Sequence, residues 1–154
     1  PVKIADNIWV SGEIPMVTAF EAIEPIFYIE ENNAFRPDPI RDDQALFIRS
    51  NKGLVIVLGC AHRGMVNTVL HARNITGEPR VHTIVGGTHL FPKTEDQKHK
   101  AIEALKALGV QKIGASHCTG FAAAMMLAQA FGEKFFPNNT GSITIIDDAD
   151  NTDD

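Results

Sequence analysis

Cysteine is scarce in this chain: Cys60 and Cys118 are the two thiols in 154 residues. At that density a disulfide framework is not expected, and a reducing compartment, the cytoplasm, fits better. Basic charge is also short. There are 14 Lys and Arg against 19 Asp and Glu, for a formal net charge of −5. A nucleic-acid-coating protein needs a basic face, so this balance argues against a nucleic-acid partner. No apolar run approaches the ~20 residues that cross a bilayer, so no transmembrane helix is expected. The opening residues lack a basic stretch leading into an apolar one, so no signal peptide is expected either. Position 1 is Pro rather than Met. That leaves open whether the chain is a whole protein or a piece of one.

What is present is enough for one domain. Apolar residues make up 44%, and a chain of this size buries roughly 68–70% of its unfolded surface on folding. Three regions differ in composition. Residues 1–44 form an opening segment punctuated by Pro15, Pro25, Pro37 and Pro39. It is expected to run over the surface, with a short strand at 26–29. Residues 45–146 carry the regular α/β pattern. Residues 147–154 include Asp147, Asp148, Asp150, Asp153 and Asp154, an acidic solvated tail.

Within 45–146, two apolar runs flank the turn residues Asn51 and Gly53 and predict a β-hairpin. Helical spacing from Met65 to Ile75 ends at Gly77, a natural left-handed cap. A strand follows at 81–85. Thr94 and Gln97 make a capping box for the next helix, whose buried stripe is Ile102, Leu105 and Leu108. A strand at 112–115 precedes an Ala- and Met-rich helix over 121–131, apolar on most faces and expected to be buried. A last strand is expected at 142–146. Strands alternating with helices give an α/β fold class.

Three of the six histidines hold equivalent places. His62, His89 and His117 each follow a strand, in a glycine-containing loop, at separations of 27 and 28 residues. Loops at the carboxyl ends of strands converge, and α/β proteins build their sites there. Three neutral imidazoles at one rim can bind Zn²⁺ or a similar cation. His71, His82 and His99 have structural places in helix or strand. Cys60 and Cys118 adjoin the candidate ligands and can ligate as thiolates. Adjacent residues of an extended segment point opposite ways, which handicaps Cys118 beside His117, so both thiols are expected as small buried hydrophobes. Gly59, Gly64, Gly86, Gly87 and Gly120 allow close approach of a ligand to backbone. Gly64 also precedes a helix N-terminus, whose free N–H groups suit an anionic substrate, with Arg63 and Lys93 adding positive charge.

The motifs Gly59-Cys60-Ala61-His62-Arg63-Gly64, Val66-Asn67-Thr68, Gly86-Gly87-Thr88-His89-Leu90 and His117-Cys118-Thr119-Gly120 together resemble the metallo-β-lactamase-fold hydrolases. The similar branch includes the dihydropterin ribofuranosylaminobenzene phosphate synthase-like proteins. Ser11-Gly12-Glu13-Ile14-Pro15 and Asp43-Gln44-Ala45-Leu46 also look like that branch. The resemblance covers nearly the whole chain. It implies the C-terminal half of an αβ/βα sandwich, because the family's His-x-His-x-Asp-His motif, carried in an N-terminal half, is not in this sequence. It further implies metal ligation by His62 and His117. His89 falls two residues past the place of a bridging Asp, where Gly87 stands, and is a less certain ligand or a contact to a substrate oxygen. Arg63, Gly64, Gly87 and Thr119 are the implied substrate contacts. The general base is expected in the other half.

The resulting expectation is a metal-dependent hydrolase attacking an ester or phosphoester with activated water. Zn²⁺ is the first choice of cofactor, with Mn²⁺, Fe²⁺ and Mg²⁺ as alternatives. The expected partners are a small anionic substrate and a missing N-terminal half, a companion chain or a second copy. A second expectation is a transferase that joins a pterin diphosphate to a phosphorylated ribosyl-aminobenzene. A third is a binding or scaffold module without chemistry.

Overall fold

The computed structural model describes residues 1–146 of the chain, so the acidic tail lies outside the described residues. One mixed sheet dominates. Two strands, β1 (Val2–Ala5) and β2 (Ile8–Val10), open the chain, and β3 (Tyr28–Glu31) and β4 (Ala34–Pro37) form a separate hairpin. Then come β5 (Ala45–Ser50), β6 (Gly53–Leu58), α1 (Met65–Thr76), β7 (Val81–Gly87), α2 (Glu95–Ala107), β8 (Lys112–Ser116), α3 (Phe121–Phe131) and β9 (Phe135–Pro137). The seven-stranded sheet has the order β1-β2-β5-β6-β7-β8-β9. Its first four strands pair antiparallel, and β6 through β9 run parallel.

The parallel strands follow one another without reversal. Right-handed crossovers that step in one direction place their helices on one face of the sheet. Accordingly α1 touches α2, and α2 touches α3. The core lies under these helices, where Phe47, Ile56, Ile84 and Ile113 stand in register across four strands. The opposite face is also apolar. Val10, Leu46, Val57 and Val85 are in register there, with Ile8 and Ile48 beside them, and all six are half-buried. No helix of the described residues is long and apolar enough to cross a membrane.

Local signals explain most of the elements. Asn51 and Lys52 close the β5–β6 hairpin, in which Ser50 pairs with Gly53. Gly77 adopts φ 70° and its N–H returns to the Arg73 carbonyl, ending α1. Thr94 and Gln97 exchange both bonds of a capping box. Each supplies otherwise orphaned helix-end groups with partners.

Four features differ from expectation. The Pro-rich segment is anchored in the core: Ile14 is 1% exposed, and Glu21 is buried. β3 and β4 make a two-strand hairpin around Asn32 and Asn33, both at positive φ. That is a primed turn, and asparagine tolerates it. The last strand is Phe135–Pro137 rather than 142–146, where Ile143 and Ile145 stand 87% and 76% exposed. Finally, α3 buries only one side through Ala123, Leu127 and Phe131. Its Phe121 is 83% exposed and Met125 is also exposed. Apolar composition alone did not distinguish a covered helix from one with an open apolar flank.

Candidate metal centre

The carboxyl ends of β6, β7 and β8 deliver the three histidine loops to one rim. Each loop bends through a non-glycine residue in the left-handed region: Ala61 at φ 56°, His89 at φ 47° and His117 at φ 52°. Such conformations cost of order 1–3 kcal/mol each and persist where surrounding structure holds them, often at functional sites. Hydrogen bonds knit the loops together. Gly87 N–H donates to the Gly59 carbonyl at 3.0 Å. Thr88 Oγ1 donates to Thr119 Oγ1 at 2.9 Å, and Thr119 Oγ1 donates to the Ser116 carbonyl at 2.7 Å.

The donors fall into two groups. The His62 and His89 rings pack against each other at a 40° tilt, with centroids 3.9 Å apart, and Phe27 meets His62 edge-on at 5.6 Å. The Nδ1 atoms of both histidines are buried without a hydrogen-bond partner. Glu24 orients His89 through an Nε2 contact of 3.1 Å, and the Lys93 ammonium meets the same carboxylate. Burial is the largest single influence and would raise the Glu24 carboxyl, but the Lys93 hydrogen bond and charge, a backbone hydrogen bond and His89 together hold the group below the usual carboxylate range. Burial, helped by His62, pushes the His89 imidazole down against the opposing pull of Glu24. A carboxylate only accepts, so Nε2 carries the hydrogen and the neutral ring leaves a lone pair at Nδ1.

The second group is Cys60, His117 and Cys118, whose ligand atoms all lie within 4.8 Å of one another. Cys118 is not turned away from His117 as it would be on an extended segment, because His117–Thr119 is a single 3₁₀ turn. Cys118 accepts from His89 N–H and donates to the Cys60 carbonyl, each at 3.3 Å. Burial pushes the Cys118 thiol up, and the neighbouring Cys60 adds to this.

The remaining candidates have partners inside the protein. Arg63 is buried, and its guanidinium meets the Pro39 carbonyl and the Glu13 carboxylate, each at 3.0 Å. Lys93 is spent on Glu24 and the Ala22 carbonyl. Gly64 lies against Glu21, whose carboxylate accepts from Val66 N–H at 2.8 Å and Asn67 N–H at 2.7 Å. The first turn of α1, expected to be free for an anion, is therefore filled by the protein's own carboxylate. Thr119 is buried in the bonds to Thr88 and Ser116. Glu21 and Glu24 were not visible as site residues in the sequence. No spacing rule links a Pro-rich segment to loops 40 to 65 positions later. A cavity of about 380 Å³ opens beside His117, between Ser116, Phe121, Met125 and Phe135.

The chain is similar to two proteins of known kind. It is 37% identical over 146 residues to the 7,8-dihydropterin-6-methyl-4-(β-D-ribofuranosyl)-aminobenzene-5′-phosphate synthase of Methanocaldococcus jannaschii, matching 93% of this chain and 50% of that protein. A crystal structure of a metal-dependent hydrolase of the β-lactamase superfamily superposes with a TM-score of 0.82 at 30% identity. The chain has the fold of half of a β-lactamase-superfamily metal-dependent hydrolase. That superposition covers 95% of this chain and 56% of the other, so the chain spans about half the length of the superfamily relatives it matches. No protein-family model matches it. The α/β architecture, with its mixed sheet and three helices among the described residues, is that half of the superfamily fold.

The donor chemistry fits the metal dependence of the superfamily. Two imidazoles with bare buried nitrogens and a compact sulfur–nitrogen group suit a borderline-soft divalent cation.

Proposed function

We propose that the chain supplies one rim of a metal-dependent hydrolase site, with His62, His117 and His89 toward a divalent cation, Zn²⁺ before Mn²⁺, Fe²⁺ or Mg²⁺. The substrate is a small anionic ester or phosphoester. The observation that carries the reading is the pair of buried, partnerless Nδ1 atoms on His62 and His89. A buried polar atom without a partner costs about 1–3 kcal/mol, and a bound cation removes that cost. When bound, such a cation polarises a substrate oxygen and makes water nucleophilic near neutral pH.

The chain's own residues do the positioning. Lys93 holds Glu24, Glu24 holds the His89 tautomer, and His89 presents its lone pair at the rim. A carboxylate behind a ligating histidine fixes ring orientation and raises basicity. The Thr88–Thr119 bond keeps the His89 and His117 loops at a constant separation. The half-buried apolar face of Ile8, Val10, Leu46, Ile48, Val57 and Val85 receives a second layer, either the remaining half of a longer chain or a companion copy.

Metal-dependent hydrolysis of bis(p-nitrophenyl) phosphate and p-nitrophenyl esters tests this reading. It is to be measured on this chain and on a chain extended to the relatives' full length. Turnover is expected in the longer chain, abolished by chelation and restored by Zn²⁺, with at most traces from the 154 residues. Strong turnover from the 154 residues alone overturns the dependence on a second layer. Chelator-insensitive turnover overturns the metal.

The synthase relative favours a second reading, transfer of a pterin group with departure of diphosphate. Release of pyrophosphate from a pterin diphosphate, absent any phosphodiester hydrolysis, selects it.

A further inference from the structure

We propose that Cys60, His117 and Cys118 form a soft-cation site in their own right, with two thiolates and an imidazole for Zn²⁺ or an ion of similar softness. It shares His117 with the hydrolase reading and otherwise stands apart from it, since His62 and His89 are not donors to it.

Three observations converge. The donor atoms already lie within 4.8 Å of one another. A tetrahedral Zn²⁺ with ordinary Zn–S and Zn–N bonds sets its donors about 3.5–3.8 Å apart, so any pair has to close by at most about 1.3 Å. Second, the backbone is bent for the purpose. His117 at φ 52° opens the 3₁₀ turn that brings adjacent residues 117 and 118 to one side. Third, Gly87 leaves the space. A Cβ there would stand 2.8 Å from Cys118 Sγ, 3.2 Å from Cys60 Cα and 2.6 Å from the Gly59 carbonyl oxygen. Gly87 is not in the left-handed region, so its backbone does not require glycine. The approach of the two cysteine segments does.

The chemistry balances. The Cys118 thiol is held between the Cys60 carbonyl and the His89 N–H; metal loading replaces the thiol protons of Cys60 and Cys118, and the His89 N–H stays to donate to the Cys118 sulfur. Two S–H bonds break, two metal–sulfur bonds form, and two protons pass to solvent. His117 Nδ1 or Nε2 donates the third pair. His117 is exposed, so the fourth position faces solvent, where water or an anionic ligand completes the shell.

Titration of the reduced chain with Co²⁺ tests the site, read by thiolate-to-cobalt charge transfer in the near ultraviolet. A band of two-thiolate intensity is expected, with about two protons released per cation. Cys60→Ser and Cys118→Ser each halve the band and weaken binding at least about 100-fold, beyond the 10–100-fold that outer-shell partners cost. His62→Ala leaves the band unchanged. On the unmodified chain, Zn²⁺ is expected to protect both thiols from a disulfide reagent, a readout that no folding defect can mimic. Cobalt binding without a thiolate band, or a band lost in His62→Ala but kept in Cys60→Ser, overturns the site. Unprotected thiols under saturating Zn²⁺ also overturn it. A thiolate band in a chain that shows no hydrolysis at full length leaves this site standing and removes the hydrolase.

Discussion

Gly64→Ala is expected to lower the stability of the chain by about 3–5 kcal/mol, a large fraction of the 5–15 kcal/mol that holds an ordinary domain. Two costs combine. Gly64 sits at φ 97° and ψ 141°, a region that side-chain-bearing residues enter at about 1–3 kcal/mol. A Cβ at this point would also stand 2.2 Å from Glu21 Oε2 and 2.3 Å from its carboxyl carbon. The carboxylate must move, stripping Val66 N–H and Asn67 N–H of their acceptor. Buried donors left bare add about 1–3 kcal/mol. Urea unfolding measures the loss, and the Glu21→Gly background, which also removes the Glu21 Cβ that would stand 2.7 Å away, separates the two costs. There the clash is gone, so Gly64→Ala is expected to cost roughly the conformational part alone, about 2 kcal/mol. Equal losses in the two backgrounds would show that Glu21 does not pack on Gly64 as described.

The second large effect concerns chemistry. In a chain extended to the relatives' full length, His62→Ala and His117→Ala are each expected to reduce metal-dependent turnover by at least about 100-fold, since even partners of ligands are worth 10–100-fold. Glu24→Gln is expected to do less. It keeps an acceptor for His89 Nε2 but loses the charge paired with Lys93, leaving the ammonium buried without its counter-ion. The discriminating readout is metal affinity. The histidine variants are expected to lose the cation that supports turnover, His62→Ala keeping the separate one held by Cys60, His117 and Cys118, whereas a scaffold without chemistry would keep the same affinity in all of them. Retention of full turnover in His117→Ala would end the hydrolase assignment for this rim.

The parallel half of the fold was legible because its signals are local. Gly77 caps α1, Thr94 and Gln97 box α2, and the β5–β6 turn announces itself with Asn51 and Gly53. The three histidine loops were legible because strand–loop–helix order puts them on one edge. What could not be read were long-range contacts. Glu21 and Glu24 belong to a segment whose prolines suggested an excursion, yet their carboxylates reach α1 and His89. The Asn32-Asn33 turn was the available signal for β3–β4, but strands exposed on both faces carry no alternating pattern to support it. The closeness of Cys118 to His117 follows from the 3₁₀ bend after Ser116, which the alternation of an extended strand does not describe. The strand expected at 142–146 had suitable residues, but no neighbouring strand of the described residues pairs with them.

Binding of Zn²⁺ to the reduced chain, by equilibrium dialysis and metal analysis, bears most directly on the claim that this rim is a metal centre. His117 belongs to both donor arrangements. The chain is expected to retain Zn²⁺ at stoichiometric levels and to lose at least about 100-fold in affinity in His117→Ala. No retained metal in the unmodified chain, or the same affinity in His117→Ala, would contradict it.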